Sequence, residues 1–335
     1  MTKKSTIALV AQHAGVSVAS VSRVLNGLPA SPAITERVQA SAAALGYAPD
    51  ASARRLRVGR TEQIAFAVAD LGNPVYTAMT RTITEEVQEG GFRLLLASTG
   101  QGADGPLGLL TDLDGSFVDG LILSPLQVDE RVVERLRGRR HPIVVIGSVP
   151  DDVPVDSVRA DSMTGVRLAL EHLVAQGRRR IAFVNGPVDT VPGAARLAGY
   201  VRGCDALGLV THQELQVVAD DFTYEAGLPA ARRVLDQCVP DAILCANDLL
   251  GVAALNVLRE RGLRVPEDVA VVGMDDTDLA GMTRPALTSV DLGSIERARR
   301  AAQLLLRRLG GFDGPPERVV VEPTLRVRAS SGGAA

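Results

Sequence analysis

Between residues 7 and 45, apolar side chains recur at every third or fourth position; after about residue 62 they collect into short runs instead. The first rhythm belongs to short amphipathic helices, the second to strands buried on both faces. In the first stretch Val10, Ala14, Val16, Val21 and Val24 fall where two short helices meet, and Ala11 and Ala14 are small enough for a close crossing. Gly15 supplies the backbone freedom of a tight turn, and Ser17 can accept a hydrogen bond from the free N–H groups opening the next helix. The spacing over residues 6–27 therefore predicts a helix-turn-helix, the unit that lays its second helix in the major groove of DNA. An ordinary helical hairpin inside an enzyme shares this pattern. A third helix is expected with Ser31 as its cap, Pro32 in its first turn, Val38, Ala42 and Leu45 on one face, and Gly46 at its end.

Beyond residue 62, strands are expected at 64–69, 94–97, 118–123 and 143–146, and in a second series at 181–184, 215–218, 242–245 and 269–272. Helices are expected at 75–89 and 129–137, then at 164–176, 194–207, 225–237 and 249–261. Such alternation means parallel sheets covered by helices on both faces. Two halves of this kind leave a cleft, and ligands bind where strand C-termini face it. The expected architecture is thus a small all-α helix-turn-helix head followed by an α/β two-lobe body with parallel sheets.

Charge sharpens the division. Residues 1–60 hold eight basic side chains against Glu36 and Asp50, a balance of +6, whereas the whole chain is −3 and the remainder therefore −9. A basic head on an acidic body is the asymmetry of a nucleic-acid reader. At 335 residues and 46% apolar composition the chain has room for one small and two medium domains. Aromatic residues make up only 3%, so the cores must be built mainly from Val, Leu, Ile and Ala. No apolar run is long enough to span a membrane, and no export signal is recognisable at the N-terminus, so a cytoplasmic location is expected. Cys204, Cys238 and Cys245 lack metal-like spacing and read as reduced thiols.

The candidate chemistry is binding chemistry. On the second helix Ser22, Arg23 and Asn26 can hydrogen-bond phosphates or base edges, and Val18 and Ala19 can contact thymine methyl groups. In the body Asp275 ends an apolar run, which would put its carboxylate at the cleft mouth. Arg196 opens a helix and offers a planar fork of donors suited to hydroxyls or a carboxylate. Asn247 follows the run 242–245 and is placed to cap the next helix, to meet a ligand, or both; Asp161 reads as a helix cap. Residues 100–105 fit G-x-G-x-x-G after a strand, but Pro106 and Gly108 weaken the helix a dinucleotide site requires, so a flexible loop is expected. His13, His141, His172 and His212 form neither a metal spacing nor a nucleophilic arrangement, so no cofactor, metal or catalytic group is expected.

A longer set of residues carries a resemblance. It includes Thr6-Ile7 with Val10-Ala11, Ala14-Gly15-Val16-Ser17, Val21-Ser22-Arg23-Val24-Leu25-Asn26-Gly27, Leu45-Gly46-Tyr47 with Pro49, and Ala53-Arg54 with Leu56. In the body it includes Asn73-Pro74-Val75-Tyr76, Arg196-Leu197-Ala198-Gly199-Tyr200, Cys245-Ala246-Asn247-Asp248, and the run from Val265-Pro266-Glu267-Asp268 to Gly273-Met274-Asp275-Asp276. In this order the pieces resemble the LacI (lac repressor and GalR) family of bacterial transcription regulators over essentially the whole chain. The family usually has an acidic residue where this chain has Leu9, and an acidic or polar one where it has Gly147.

The resemblance implies a periplasmic-binding-protein-like body and a division into a head (1–48), a hinge helix or linker (49–61) and a body (62–335). Lobe one is expected at about 62–160 plus 293–322, lobe two at about 161–292 plus 323–330. DNA contact is expected at Thr6, Ser17, Val18, Ala19, Ser20, Ser22, Arg23, Asn26, Tyr47, Ala53, Arg54 and Leu56, with Leu56 wedged into the minor groove by a hinge segment that turns helical on DNA. Effector contact is expected at Tyr76, Ser124, Arg196, Phe222, Asn247 and Asp275, with Phe222 as a stacking face. The implied partners are a palindromic double-stranded operator, a second copy of the chain, and a small effector, a sugar or alternatively a nucleoside or purine. A sugar-binding transport protein would share the body but not the head.

Overall fold

The computed structural model describes residues 5–25, 28–47, 60–100, 102–113, 118–209 and 212–332. The chain divides into two units, residues 1–61 and 62–335. In the first, α1 (Ile7–Ala14), α2 (Val18–Leu25) and α3 (Pro32–Ala44) enclose a core of Val10, Ala11, Ala14, Val21, Val38 and Ala42, with Val16, Val24 and Leu45 packed at its edge. These are the residues whose spacing predicts the helices. Ser31 does precede α3, but its hydroxyl makes no capping hydrogen bond. Thr35 Oγ1 instead donates to the Ser31 carbonyl.

The second unit is built on two six-stranded sheets. The chain first lays down β1 (Gln63–Val68), β2 (Arg93–Ser98), β3 (Gly120–Ser124), β4 (Ile143–Ile146) and β5 (Asp156–Ala160). It then forms β6 (Ile181–Asn185), β7 (Gln216–Val218), β8 (Ala242–Cys245), β9 (Ala270–Met274) and β10 (Thr288–Asp291). Two short strands finish it: β11 (Arg318–Val321) joins β5 in the first sheet, and β12 (Thr324–Arg326) joins β10 in the second. The sheet orders are β11-β5-β4-β3-β1-β2 and β12-β10-β9-β8-β6-β7, parallel throughout except for β12. The chain therefore passes between lobes three times: after β5, after β10 and between β11 and β12.

Along β1, Ile64, Phe66 and Val68 enter one core and Ala65 and Ala67 another, because successive side chains point to opposite faces. Both faces of β1 are covered, as are those of β3 and β4, which is why they read as unbroken apolar runs; the edge strand β2 also reads as apolar, yet it leaves Leu95 and Leu96 exposed. On the first face lie α4 (Pro74–Glu89) and, returning late in the chain, a long helix over Ser294–Leu309 whose Ala298, Ala301, Ala302 and Leu305 are buried. On the other lie α5 (Asp104–Leu113) and α6 (Glu130–Arg137). The second lobe carries α7 (Ser162–Ala175), α8 (Val191–Ala206), α9 (Tyr224–Gln237), α10 (Asp248–Glu260) and the short α11 (Asp278–Met282); the returning helix is α12.

Two expectations are corrected. The segment read as a flexible loop continues into α5: Asp104 is an acidic residue in its first turn, and Gly105 lies so close to the Thr99 carbonyl that a Cβ would meet its oxygen at 1.6 Å. Strands β5, β10, β11 and β12 were absent from the apolar pattern because they are short or carry polar residues. Among the described residues no single helix is long and apolar enough to cross a membrane.

Candidate DNA-reading head and effector cleft

In the head, Thr6 caps α1, its Oγ1 accepting from Leu9 N at 3.3 Å. The helix ends at Gly15, whose φ of 62° is left-handed. Arg37 reaches from α3 and donates through Nη2 to the carbonyls of Ala14 and Gly15, satisfying acceptors that the helix end leaves open. Ser17 caps α2 by accepting from Ser20 N at 3.1 Å. Ser17, Val18, Ala19 and Arg23 are exposed, Ser20 and Ser22 half-buried, and Val21 fully buried. The structure thus places one face of α2 in solvent, with the apolar Val18 46% exposed at its start. Tyr47 packs against the head core. Asn26, Ala53, Arg54 and Leu56 lie outside the described residues.

In the body, strand C-termini from both lobes converge on a cavity of about 200 Å³. Tyr76, Ser124, Arg196, Phe222, Asn247 and Asp275 all line it, so the six residues expected around one ligand are brought together. Tyr76, on α4, and Ser124, at the end of β3, come from the first lobe. Burial, with a contribution from Asp275, raises the Tyr76 hydroxyl above its ordinary value, so it stays a protonated donor.

The second lobe supplies the charged half. Arg196 donates through Nη1 to Ala246 O at 2.7 Å and through Nη2 to Asp275 Oδ1 at 3.4 Å, with both side chains buried. Its guanidinium stands 5.8 Å from the centroid of the Phe222 ring, and its buried Nε has no hydrogen-bond partner among the described residues. The pair presents donors and acceptors side by side, an arrangement complementary to a hydroxyl-rich ligand. Asn247 is both cap and brace: Oδ1 accepts from Leu250 N at 2.9 Å, and Nδ2 donates to Phe222 O at 2.8 Å. It acts on the site largely by holding Phe222. Asp161 also caps, accepting from Thr164 N and Oγ1 at 3.1 and 2.9 Å.

Asp275 sits in a strained turn, with φ of 98°, and Asp276 follows at 46°. Asp248, absent from the expected site, holds this turn. It accepts from Thr277 N at 2.7 Å, Thr277 Oγ1 at 2.8 Å and Ser289 Oγ at 2.5 Å, while Ser289 Oγ also accepts from Asp276 N. Burial and the neighbouring Asp275 charge push the Asp248 carboxyl up to about 7. Its signal in the sequence is an Asp directly after the Asn247 cap. Arg297, on α12, also lines the cavity. The sequence marks it as an arginine adjoining the stripe formed by Ser294, Ala298 and Ala301. Gly147 follows β4 with a φ of 148°, and a Cβ there would meet Val145 Cγ1 at 3.9 Å, an ordinary contact.

Fold and site together define a helix-turn-helix protein with a periplasmic-binding-protein-like body. Residues 6–50 match the bacterial regulatory proteins of the lacI family, and residues 170–331 match a periplasmic binding protein-like domain. Over a 338-residue alignment the chain is 39% identical to the HTH-type transcriptional regulator CelR of Thermobifida fusca, covering 98% of each chain. Among solved structures it is similar to a transcriptional regulator CelR–cellobiose complex, with 37% identity, a TM-score of 0.74, and coverage of 97% of this chain and 99% of that one. It is also similar to the lac repressor dimer bound to operator and the anti-inducer ONPF, with 27% identity, a TM-score of 0.87, and coverage of 98% and 99%. The chain belongs to the LacI family of bacterial transcriptional regulators.

Proposed function

We propose that this regulator represses a sugar-utilisation operon and is controlled by a sugar held in the interlobe cleft. The observation that carries the reading is the buried Arg196–Asp275 pair beside the Phe222 ring, which offers polar atoms at one edge and a flat apolar face at the other. Sugars have this division, with hydroxyls around an apolar ring face. Gly147 lines the cavity without a side chain, and cellobiose, the ligand named for the CelR complex, is the first compound to try. The effector is read as a non-covalent ligand and the chain as a regulator rather than an enzyme.

On the DNA side, two copies pair through their bodies and present two heads to a palindromic operator in the cytoplasm, since two-fold symmetry in the protein matches two-fold symmetry in the site. Each α2 lies in a major groove, with Ser17, Val18, Ala19, Ser20, Ser22, Arg23 and Asn26 along it. Thr6 and Tyr47 flank it, while Ala53, Arg54 and Leu56 meet the minor groove. The effector acts by binding one lobe arrangement better than another; a coupling of about 1–3 kcal/mol is usual for such systems. Selection of bound genomic fragments by the purified protein, repeated with a panel of sugars and nucleosides, tests the reading. The expected result is one palindromic site whose occupancy changes with a sugar. A response to nucleosides alone would replace the sugar, and no sequence preference under any condition would refute the whole reading.

A further inference from the structure

The helix α12 carries five arginines, and four of them have carboxylate partners. Arg299 pairs with Glu86 and Glu296, Arg300 with Glu296, Arg307 with Glu317, and Arg308 with Asp156. Arg297 differs. It is half-buried in the wall of the cavity, and its one hydrogen bond among the described residues runs from Nε to Leu292 O at 3.1 Å. Neither Nη group has a partner among those residues. Of the two acids whose charge reaches it, Asp275 is already bound by Arg196, and Asp291 accepts from Gly293 N. Burial pulls the Arg297 guanidinium below its ordinary value while Asp275 opposes that pull, so it remains a cation. A half-buried guanidinium in a cavity wall, with two donor groups that the protein leaves unused, is available to a ligand. A pair of adjacent oxygen atoms meets it with the right geometry.

We propose that Arg297 binds the effector from the first lobe, reading two neighbouring oxygen atoms of a sugar and making that sugar a bridge between the lobes. The inference rests on the sugar reading above and adds the residue that ties the ligand to lobe position. Arg196 and Asp275 belong to the second lobe, whereas Arg297 belongs to a helix packed along α4 and the first sheet. A ligand gripped by both favours the lobe spacing that lets both grips form, and differential contact of this kind is what shifts a conformational equilibrium.

The test uses the full-length protein and calorimetric titration with cellobiose, glucose and a panel of further mono- and disaccharides. The sugar that the wild type binds most tightly is then titrated into Arg297→Gln and Arg297→Lys. Arg297→Gln is expected to weaken binding by about tenfold or more, the scale of one lost charge-assisted contact. Arg297→Lys should fall between, because it keeps the charge and loses the fork. With sugar saturating, Arg297→Gln should also show a smaller change in operator affinity than the wild type, which a purely structural role at unchanged melting temperature would not produce. Wild-type affinity in Arg297→Gln overturns the inference and leaves the sugar reading standing. If that variant does not fold, wild-type affinity in Arg297→Lys overturns it. If the wild type binds no sugar in the panel, the sugar reading falls and this inference with it.

Discussion

The ring of Phe222 lies against the backbone of Gly186 so closely that a Cβ at Gly186 would stand 2.4 to 2.6 Å from three ring carbons. The platform in the cleft therefore depends on a residue that does not itself line the cavity. Gly186→Ala should push the ring out of place, at an overpacking cost of about 1–3 kcal/mol. Effector affinity should fall about tenfold or more while operator binding without effector persists. Calorimetric titration alongside a thermal melt checks this; unchanged affinity would remove Phe222 from the binding surface.

Asp248 makes a second indirect contribution through the strained Asp275–Asp276 turn. In Asp248→Asn the amide oxygen can keep both Thr277 donors, but N–H₂ then replaces the oxygen that accepts from Ser289, so the buried Ser289 hydroxyl loses its acceptor. A loss of about 1–3 kcal/mol in body stability is expected, together with weaker effector binding as the turn relaxes. Denaturant unfolding and titration of the same variant measure both. A stable variant with normal affinity would mean that the turn is held without this carboxylate.

How much of this was legible in the sequence follows from the range of the interactions. The head was readable because its determinants are local: Val10, Ala14, Gly15, Ser17 and Val21 act within a few residues of one another. Asp275 was readable because it directly follows the apolar strand β9; Arg196 belongs to a recognisable helix, but α8 begins at Val191 and so places it in the second turn rather than at the opening. Arg297 was not readable, since an amphipathic helix accepts an arginine beside its apolar stripe with or without a ligand. The helix α5 was hidden for the opposite reason. Pro106 and Gly108 read as weakening a helix and Gly105 as part of a loop, yet Gly105 is needed for close approach to the Thr99 backbone, a contact that local pattern does not encode. The return of α12 and β11 to the first lobe came from family resemblance, and no periodicity carries it.

Arg37 should matter to DNA binding without touching DNA. Its guanidinium fastens the end of α1 at the turn that orients α2. Arg37→Ala is expected to cost the head about 1–2 kcal/mol and to lower operator affinity, with effector affinity unchanged. Fluorescence anisotropy on an operator duplex and calorimetry on the effector separate the two. An equal loss of both would place the role of Arg37 elsewhere.

The end of the chain carries a pH dependence. His172 Nε2 is 2.8 Å from Ser331 Oγ, whose hydroxyl is in turn 2.7 Å from Thr288 Oγ1, so the turn over Ala329–Ser331 is fastened to α7 and β10. Burial holds the His172 imidazole below its ordinary value, against an opposing contribution from Ser331. A base whose folded value is depressed contributes stability that is fully present above its unfolded value of about 6.5 and is lost as pH falls from there through the lower folded value. The melting temperature of the wild type should therefore drop more between about pH 7.5 and 5.5 than that of His172→Gln. Equal drops would show that another group governs acid sensitivity in this range.

The most direct measurement is the affinity of the full-length protein for its selected palindromic operator, by fluorescence anisotropy, with and without the sugar it binds. The account predicts specific binding that the sugar changes by about 5- to 150-fold, the usual span of such coupling. Operator affinity that stays constant while the cleft is saturated with sugar would contradict it.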